Sequence, residues 1–345
     1  MVGVFVICFI VFPISVFWNI CKVFPSGAFL NKQDSDVVKG IATSFVILAH
    51  LTNYLDDTGG GYDKILSFFS VMGGMGVLLF FFLSGYGLYK GYEGKQIEVK
   101  FWKKRLTSMY LPCIVIQFMF GIIKAVSDQG FVLWKVVIDG LFGAWFIDVI
   151  LIQYFIFFMT GIISGEKRTR WIISCFWFSI AVAFLFWKLK LNARWYNGLL
   201  LFPFGMLIAY SEKKLIPLID KRWKLFFISN TLLFSITGLF FTLYKGKFIW
   251  IDIVKTYSGM CLSMMVCIVF MKIKPCSKVM LYMGKRSLYF YLVHINMIAV
   301  LNSIERLDAI NVFFLVLLST FLVVEIFYRI KAECFLRLGK KRKLV

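Results

Sequence analysis

The sequence predicts an all-α fold, a polytopic transmembrane helix bundle of about 11 spans. Three observations carry that prediction. The 345 residues are 60% hydrophobic, with 40 Phe and a mean hydropathy of +0.82. Apolar runs of about 17–25 residues recur from end to end, each long enough to cross the bilayer core as a helix. Basic residues concentrate in every second connection between those runs. The runs are continuous rather than alternating, which selects helices over barrel strands. No polar stretch is long enough to form a separate soluble domain.

Taken in order, the apolar runs place spans at roughly 2–22, 38–55, 66–88, 107–125, 144–164, 171–187, 195–210, 225–243, 253–271, 287–304 and 310–330. The sixth and seventh are short and separated by KLKLNAR. The stretch 131–143 is a further apolar segment expected at the membrane interface. The first span has neither a basic leading region nor a small-residue cleavage site, so it reads as a retained anchor. The organisation that follows is an extra N-terminal span and loop over 1–35, a transmembrane domain over 36–331 and a basic tail over 332–345. No internal repeat of the transporter kind and no low-complexity segment is seen.

The net charge of +21 raises nucleic acid as a partner, but its distribution points elsewhere. The connections at 22–39, 90–105, 167–170, 213–224 and 272–286, with the tail at 329–343, hold 29 of the 39 Lys and Arg. The loop LDDTGGGYD after the second span is acidic. By the positive-inside rule the N-terminus is expected outside and the C-terminus in the cytoplasm, in a multi-pass protein of the cell membrane. Anionic lipid headgroups are then the expected partner of the excess charge, and nucleic acid is not. The eight cysteines form no CxxC pair and mostly lie in apolar segments, so they read as buried, inert thiols. No metal site and no disulfide framework is expected.

The chain contains two histidines, His50 and His294, both inside apolar runs. An ionisable group at membrane depth is costly and is by default a functional-site hypothesis. Imidazole is also the side chain that exchanges protons most readily near neutral pH. Lys39 precedes His50 by eleven residues, about three helical turns, so the two project from one face roughly 16 Å apart along the axis. Asp36, one turn before Lys39, can pair with it. The plainer alternative is a snorkelling lysine and a helix-packing histidine. Ser84 and Gly85 permit close backbone approach, and Lys103, Lys104 and Arg105 form either a topogenic charge run or an anion-binding cluster. Asp148 is an acid within an apolar run, placed either to orient His50 or to snorkel outward, and Gln153 lies deeper. Ser287, Tyr291 and His294 share one helix face as a polar stripe, which interhelical hydrogen bonding alone would also explain.

Together these elements resemble the acyltransferase-3 family of polytopic membrane acyltransferases. The matching elements are Lys39 to His50 within DVVKGIATSFVILAH, FFFLSGY at 80–86, KKRLTSMYLP at 103–112, WFI at 145–147, PFGMLIAY at 203–210 and SLYFYLVH at 287–294. They follow the family's order and cover about residues 36–294. The chain departs from the family pattern in three ways. Lysine replaces the usual arginine at 39, keeping charge but losing the bidentate fork. The nearest acid after WFI is Asp148 rather than a glutamate. An extra span precedes the family's ten.

The resemblance implies transfer of an acyl group, commonly acetyl from acetyl-CoA, to a hydroxyl of a cell-envelope glycan or its lipid-linked precursor. Acyl-CoA would be a co-substrate, with no bound cofactor. His50 would be the general base, with Lys39 and Asp148 as catalytic companions. Lys104, Arg105 and Ser84 would bind acyl-CoA, and Trp145, Tyr291 and His294 would line the pocket. The donor is cytoplasmic while typical acceptors face outward, so either the pantetheine arm reaches into the membrane or an acyl-enzyme relays the group. Two other readings stand beside this one. A lipid-sugar-dependent glycosyltransferase would use Asp56 and Asp57 as catalytic acids or metal ligands. A non-enzymatic transporter or flippase would use the histidines as a proton relay.

Overall fold

The computed structural model describes residues 2–21, 28–57, 66–127, 133–142, 144–244, 251–304 and 307–341. Most of the acidic loop, at 58–65, lies outside these residues. The described chain is a bundle of helices. α1 is Val2–Phe17, α2 Lys32–Asp57 and α3 Ser67–Gly91. α4 runs on through Lys100–Arg105, a π-helical turn at Leu106–Tyr110 and Leu111–Ser127. α5 is Leu133–Phe142, α6 Trp145–Ser164, α7 Arg168–Lys188, α8 Leu201–Lys221 and α9 Trp223–Tyr244. α10 is Ile251–Lys272, α11 Lys278–Lys285, α12 Ser287–Asn302 and α13 Ala309–Lys341. A two-residue ladder pairs Ile20 with Pro275 and Cys21 with Lys274.

Among the described residues, eight helices are long and apolar enough to cross a bilayer, and α1 and α12 are shorter apolar helices. The seventh expected span is displaced. Residues 193–200 are mostly irregular, beginning with the short 3-10 turn Ala193–Trp195 whose N-cap, Asn192, accepts a hydrogen bond from the Arg194 N–H. α8 starts only at Leu201 and continues well past 210, to Lys221. The continuation is possible because Glu212, 1% exposed, is matched by the Tyr86 hydroxyl at 2.6 Å and by the Lys90 ammonium. Buried charge is tolerated only when paired in this way. The last helix runs past the span expected at 310–330, since α13 continues to Lys341. The segment expected at the interface is helix α5, which packs on α4.

α2 is the axis of the bundle. Its mean hydropathy, 1.2, is the lowest of the eight long helices, yet 72% of its apolar stretch is buried, the highest share. α9 shows the opposite case, with a mean hydropathy of 1.5 and 0% buried. The reason is solvent choice. A helix ringed by protein can carry Lys, Asp, Ser, Thr and His, because other helices rather than lipid meet its polar groups. α2 packs against α3, α11 and α12, while α8 crosses α3 on the other side. The motif glycines make these crossings close. A Cβ on Gly40 would land on the Met280 carbonyl of α11, and one on Gly85 would land on the Phe202 carbonyl of α8.

Several basic segments meet at one end. Lys274 pairs with Asp34 at 3.2 Å, Lys39 with Asp36 at 3.0 Å and Arg286 with Glu325 of α13 at 3.3 Å. Cys8, Cys113, Cys175, Cys261 and Cys267 are free and buried, whereas Cys276, beside the short ladder, is disulfide-bonded. That bond departs from the expectation of eight inert thiols. Beside the ladder, the Cys276 N–H donates to the Asn19 carbonyl at 2.7 Å.

Candidate functional site

Two cavities lie along α2, one at each end of its Lys39–His50 face. The first, about 440 Å³, is lined by Lys32, Lys39, Ser84, Arg105, Ser287 and Tyr291 among others. The second, about 190 Å³, is lined by His50, Asn53, Trp145, Arg194, Asn197 and Lys255 among others. The eleven-residue spacing therefore puts one ionisable residue in each chamber.

The partition between the chambers is aromatic. Trp145 faces the histidine-end chamber, and its neighbour Phe146 faces the lysine-end chamber. Likewise Phe81 lines the former and Phe80 the latter. The Phe146 ring packs on Phe80, Phe81 and Tyr291 with centroids 5.8, 5.2 and 5.1 Å apart. Edge-to-face and tilted contacts of this kind are favourable packing geometries for aromatic rings.

A polar route runs beside that plug along α12. Tyr291 lines the lysine-end chamber. Its ring lies 6.2 Å from His294, whose ring lies 5.2 Å from His50. His294 is fully buried. Its Nδ1 is 2.7 Å from the Phe290 carbonyl. A carbonyl only accepts, so Nδ1 carries the proton and Nε2 presents a bare lone pair. That Nε2 is buried without a partner. An unsatisfied buried acceptor is a cost that packing alone would have removed. His50 is partly exposed to its chamber.

The remaining expected residues divide between the two chambers and the bundle around them. Arg105 lies between two rings, 5.3 Å from Phe101 and 5.3 Å from Tyr154, and its Nε has no partner. Planar stacking of this kind holds a guanidinium in place with its donors available. Ser84 and Tyr154 line the same chamber. Lys104 is solvent-exposed and outside the chamber lining. Asp148 lines neither chamber; it lies within electrostatic range of Tyr110, Cys113 and Tyr291, and its Oδ2 is buried without a partner. The structure thus gathers Lys39, Arg105, Ser84 and Tyr291 at one end and His50 and Trp145 at the other, with His294 against His50 and Asp148 apart. Gln153 is bundle glue, donating to the Leu199 carbonyl at 3.0 Å and accepting from Ser179 at 3.3 Å.

The residues that sequence reasoning missed are Phe146, Arg194 and Lys255. Phe146 sits inside the WFI element, so the signal was present. Arg194 and Lys255 lie in stretches that carry no motif, and only the fold brings them to His50. Among the described residues no group of His, Cys, Asp or Glu is placed to hold a metal ion.

A family model described as an acyltransferase domain matches residues 32–329. No curated protein and no solved structure matches the chain.

Proposed function

Since the chain belongs to the acyltransferase-3 family and is a multi-pass membrane acyltransferase, we propose that it moves an acyl group, acetyl from acetyl-CoA, to a hydroxyl of a cell-envelope glycan or its lipid-linked precursor. One observation carries this reading: a single helix delivers a cation to one chamber and an imidazole to the other, with an aromatic plug between them. Two substrates that start on opposite sides of a membrane need that separation.

In this scheme the lysine-end chamber opens to the cytoplasm, as the basic connections around it support. Lys39, Lys32 and Arg105 hold the CoA phosphates. Ser84 and Tyr291 line the path of the pantetheine arm, which passes Phe146 to present its thioester near His50. The acceptor hydroxyl occupies the histidine-end chamber beside Trp145. His50 takes the hydroxyl proton, and the oxygen attacks the thioester carbonyl. The carbon–sulfur bond then breaks, and the leaving CoA thiolate takes the proton back from the imidazolium. His294 positions His50, because its bare Nε2, unpartnered at rest, would accept the N–H of the His50 ring when that ring turns towards it during the reaction. That interaction fixes which His50 nitrogen is basic and stabilises the ring once it is charged. Direct transfer requires no acyl-enzyme, and the imidazole pair supplies both proton steps. Anionic lipids would gather at the basic end of the bundle.

The test compares envelope glycan from a deletion strain and a His50→Ala strain by NMR or mass spectrometry. Both are expected to lose the same ester-linked acyl group. An intact ester in the His50→Ala strain would remove His50 as the base. Substrate flux in proteoliposomes without acyl-CoA would instead favour the transporter reading.

A further inference from the structure

A third cavity, about 420 Å³, is a groove between α7, α10 and the connection that leads from α7 to α8. Asn197 belongs to the lining of both this groove and the histidine-end chamber, so the two spaces meet at one residue. Away from that junction the groove is apolar, walled by Ile180, Ala183, Phe184 and Trp187 of α7 and by Ile253 of α10. It follows α7 from Trp187 to Ile180, about 10 Å at 1.5 Å per residue. Phe184 and Ile253 are exposed on helices long and apolar enough to span a bilayer, so a hydrocarbon chain can enter from the side.

The junction itself is polar and held in place. The Tyr196 hydroxyl donates to Asp252 Oδ2 at 2.9 Å, and the Asn197 side-chain amide donates to Asp252 Oδ1 at 3.0 Å. The Thr256 hydroxyl donates to the Asn197 carbonyl at 2.8 Å. A carboxylate oxygen accepts, so the Asn197 NH₂ is the group turned to Asp252. The Asn197 Oδ1 is buried without a partner, which marks a place for a hydrogen-bond donor. Each Asp252 oxygen also has capacity for a further hydrogen bond. Among the described residues Asp252 is the one charged side chain in the groove lining. A phospholipid phosphate placed there would meet a like charge. Sugar hydroxyls instead donate to a carboxylate in charge-assisted bonds.

We infer that the acceptor is a glycolipid, with its sugar in the histidine-end chamber and its hydrocarbon chain in the α7–α10 groove. The inference rests on the reading of that chamber as the acceptor site. The sugar passes into the chamber at Asn197, where its hydroxyls donate to the Asn197 and Asp252 oxygens. The chain lies against the apolar wall below. Such an acceptor reaches His50 from within the bilayer, already concentrated and oriented there, rather than from water.

The experiment photolabels the purified full chain in phosphatidylcholine nanodiscs. The probes are decyl glycosides of glucose, galactose and N-acetylglucosamine with a diazirine in the chain. Phosphatidylglycerol and phosphatidylethanolamine carrying the same diazirine chain are the controls. At equal mole fraction, at least one glycoside is expected to label the groove residues of α7 and α10 about tenfold more than either phospholipid, the equivalent of about 1–2 net hydrogen bonds. Ala183→Phe, which fills the groove, should remove that excess with Tm unchanged. Phe184→Ala, at an exposed wall position, should cut it severalfold, and decides the outcome if Ala183→Phe does not fold. Equal labelling by glycosides and phospholipids overturns the inference and leaves the groove to bulk lipid. An equal glycoside excess on α9, none of whose apolar stretch is buried, overturns it too, as does an excess that survives both variants. CoA affinity, measured on the same nanodiscs, reports separately on the acyl-CoA reading. A glycoside excess without CoA binding keeps the glycolipid site and discards that donor, whereas CoA binding without the excess discards the glycolipid alone.

Discussion

His294→Leu should make the protein more stable and much less active. The imidazole leaves Nε2 buried without a partner, a penalty of about 1–3 kcal/mol. Against that stands the Nδ1–H bond to the Phe290 carbonyl at 2.7 Å, a net gain of about 0.5–1.5 kcal/mol. Leucine is close to imidazole in volume, so overpacking adds little. The balance favours the variant by about 1 kcal/mol, or a rise in Tm of about 2 °C for a chain of this size. Thermal unfolding in detergent, followed by Trp fluorescence, reads the first effect. Acyl transfer from labelled acetyl-CoA reads the second, and kcat should fall by about 10²-fold or more as His50 loses the group that orients it. KM for acetyl-CoA should hold steady, because the residues proposed to hold the donor phosphates line the other chamber. A fall in Tm of several degrees with undiminished kcat would refute the reasoning and make His294 a packing residue.

Other perturbations separate the two chambers. Lys39→Arg should keep acyl transfer while Lys39→Ala loses it, and full activity in Lys39→Ala would take that residue out of the site. Phe146→Ala should join the chambers, so that acetyl-CoA is hydrolysed several times faster without acceptor; an unchanged hydrolysis rate would show that the plug does not separate them. Gly85→Ala should cost about 1–3 kcal/mol, because its methyl overlaps the Phe202 carbonyl and forces α3 from α8. Wild-type stability in that variant would show that the crossing is not tight.

Much of this architecture was legible because membrane folding writes it in one dimension. Apolar length set the helices, and the eleven-residue spacing set Lys39 and His50 on one face of α2. The pairing of Asp36 with Lys39 followed from i, i+3 geometry and is present at 3.0 Å. The start of α8 was not legible. Residues 195–200 are apolar enough to continue a span, but Thr256 donates to the Asn197 carbonyl at 2.8 Å, and that tertiary bond belongs to an irregular chain. Asp148 shows the same limit. Its place in the sequence suggests a depth like that of His50, but the rotation of α6 decides which neighbours it meets, and a continuous apolar run gives no phase from which to read rotation.

That limit explains why the lysine-end chamber was easier to read than the histidine-end chamber. Lys39, Ser84 and Arg105 sit in or beside motifs, as residues proposed to hold the unvarying phosphates and arm of acyl-CoA would. The histidine-end chamber takes Arg194 from a short turn and Lys255 from α10, neither in a motif and neither near His50 in sequence. A scaffold that keeps one donor and changes acceptors needs its variable contacts on elements free to vary, and a turn between spans is such an element. On the proposed reading, the substrate preference of this chain would reside in residues that only the folded bundle brings together. Exchanging the 189–200 connection should alter which hydroxyl is acylated while leaving CoA affinity as it was.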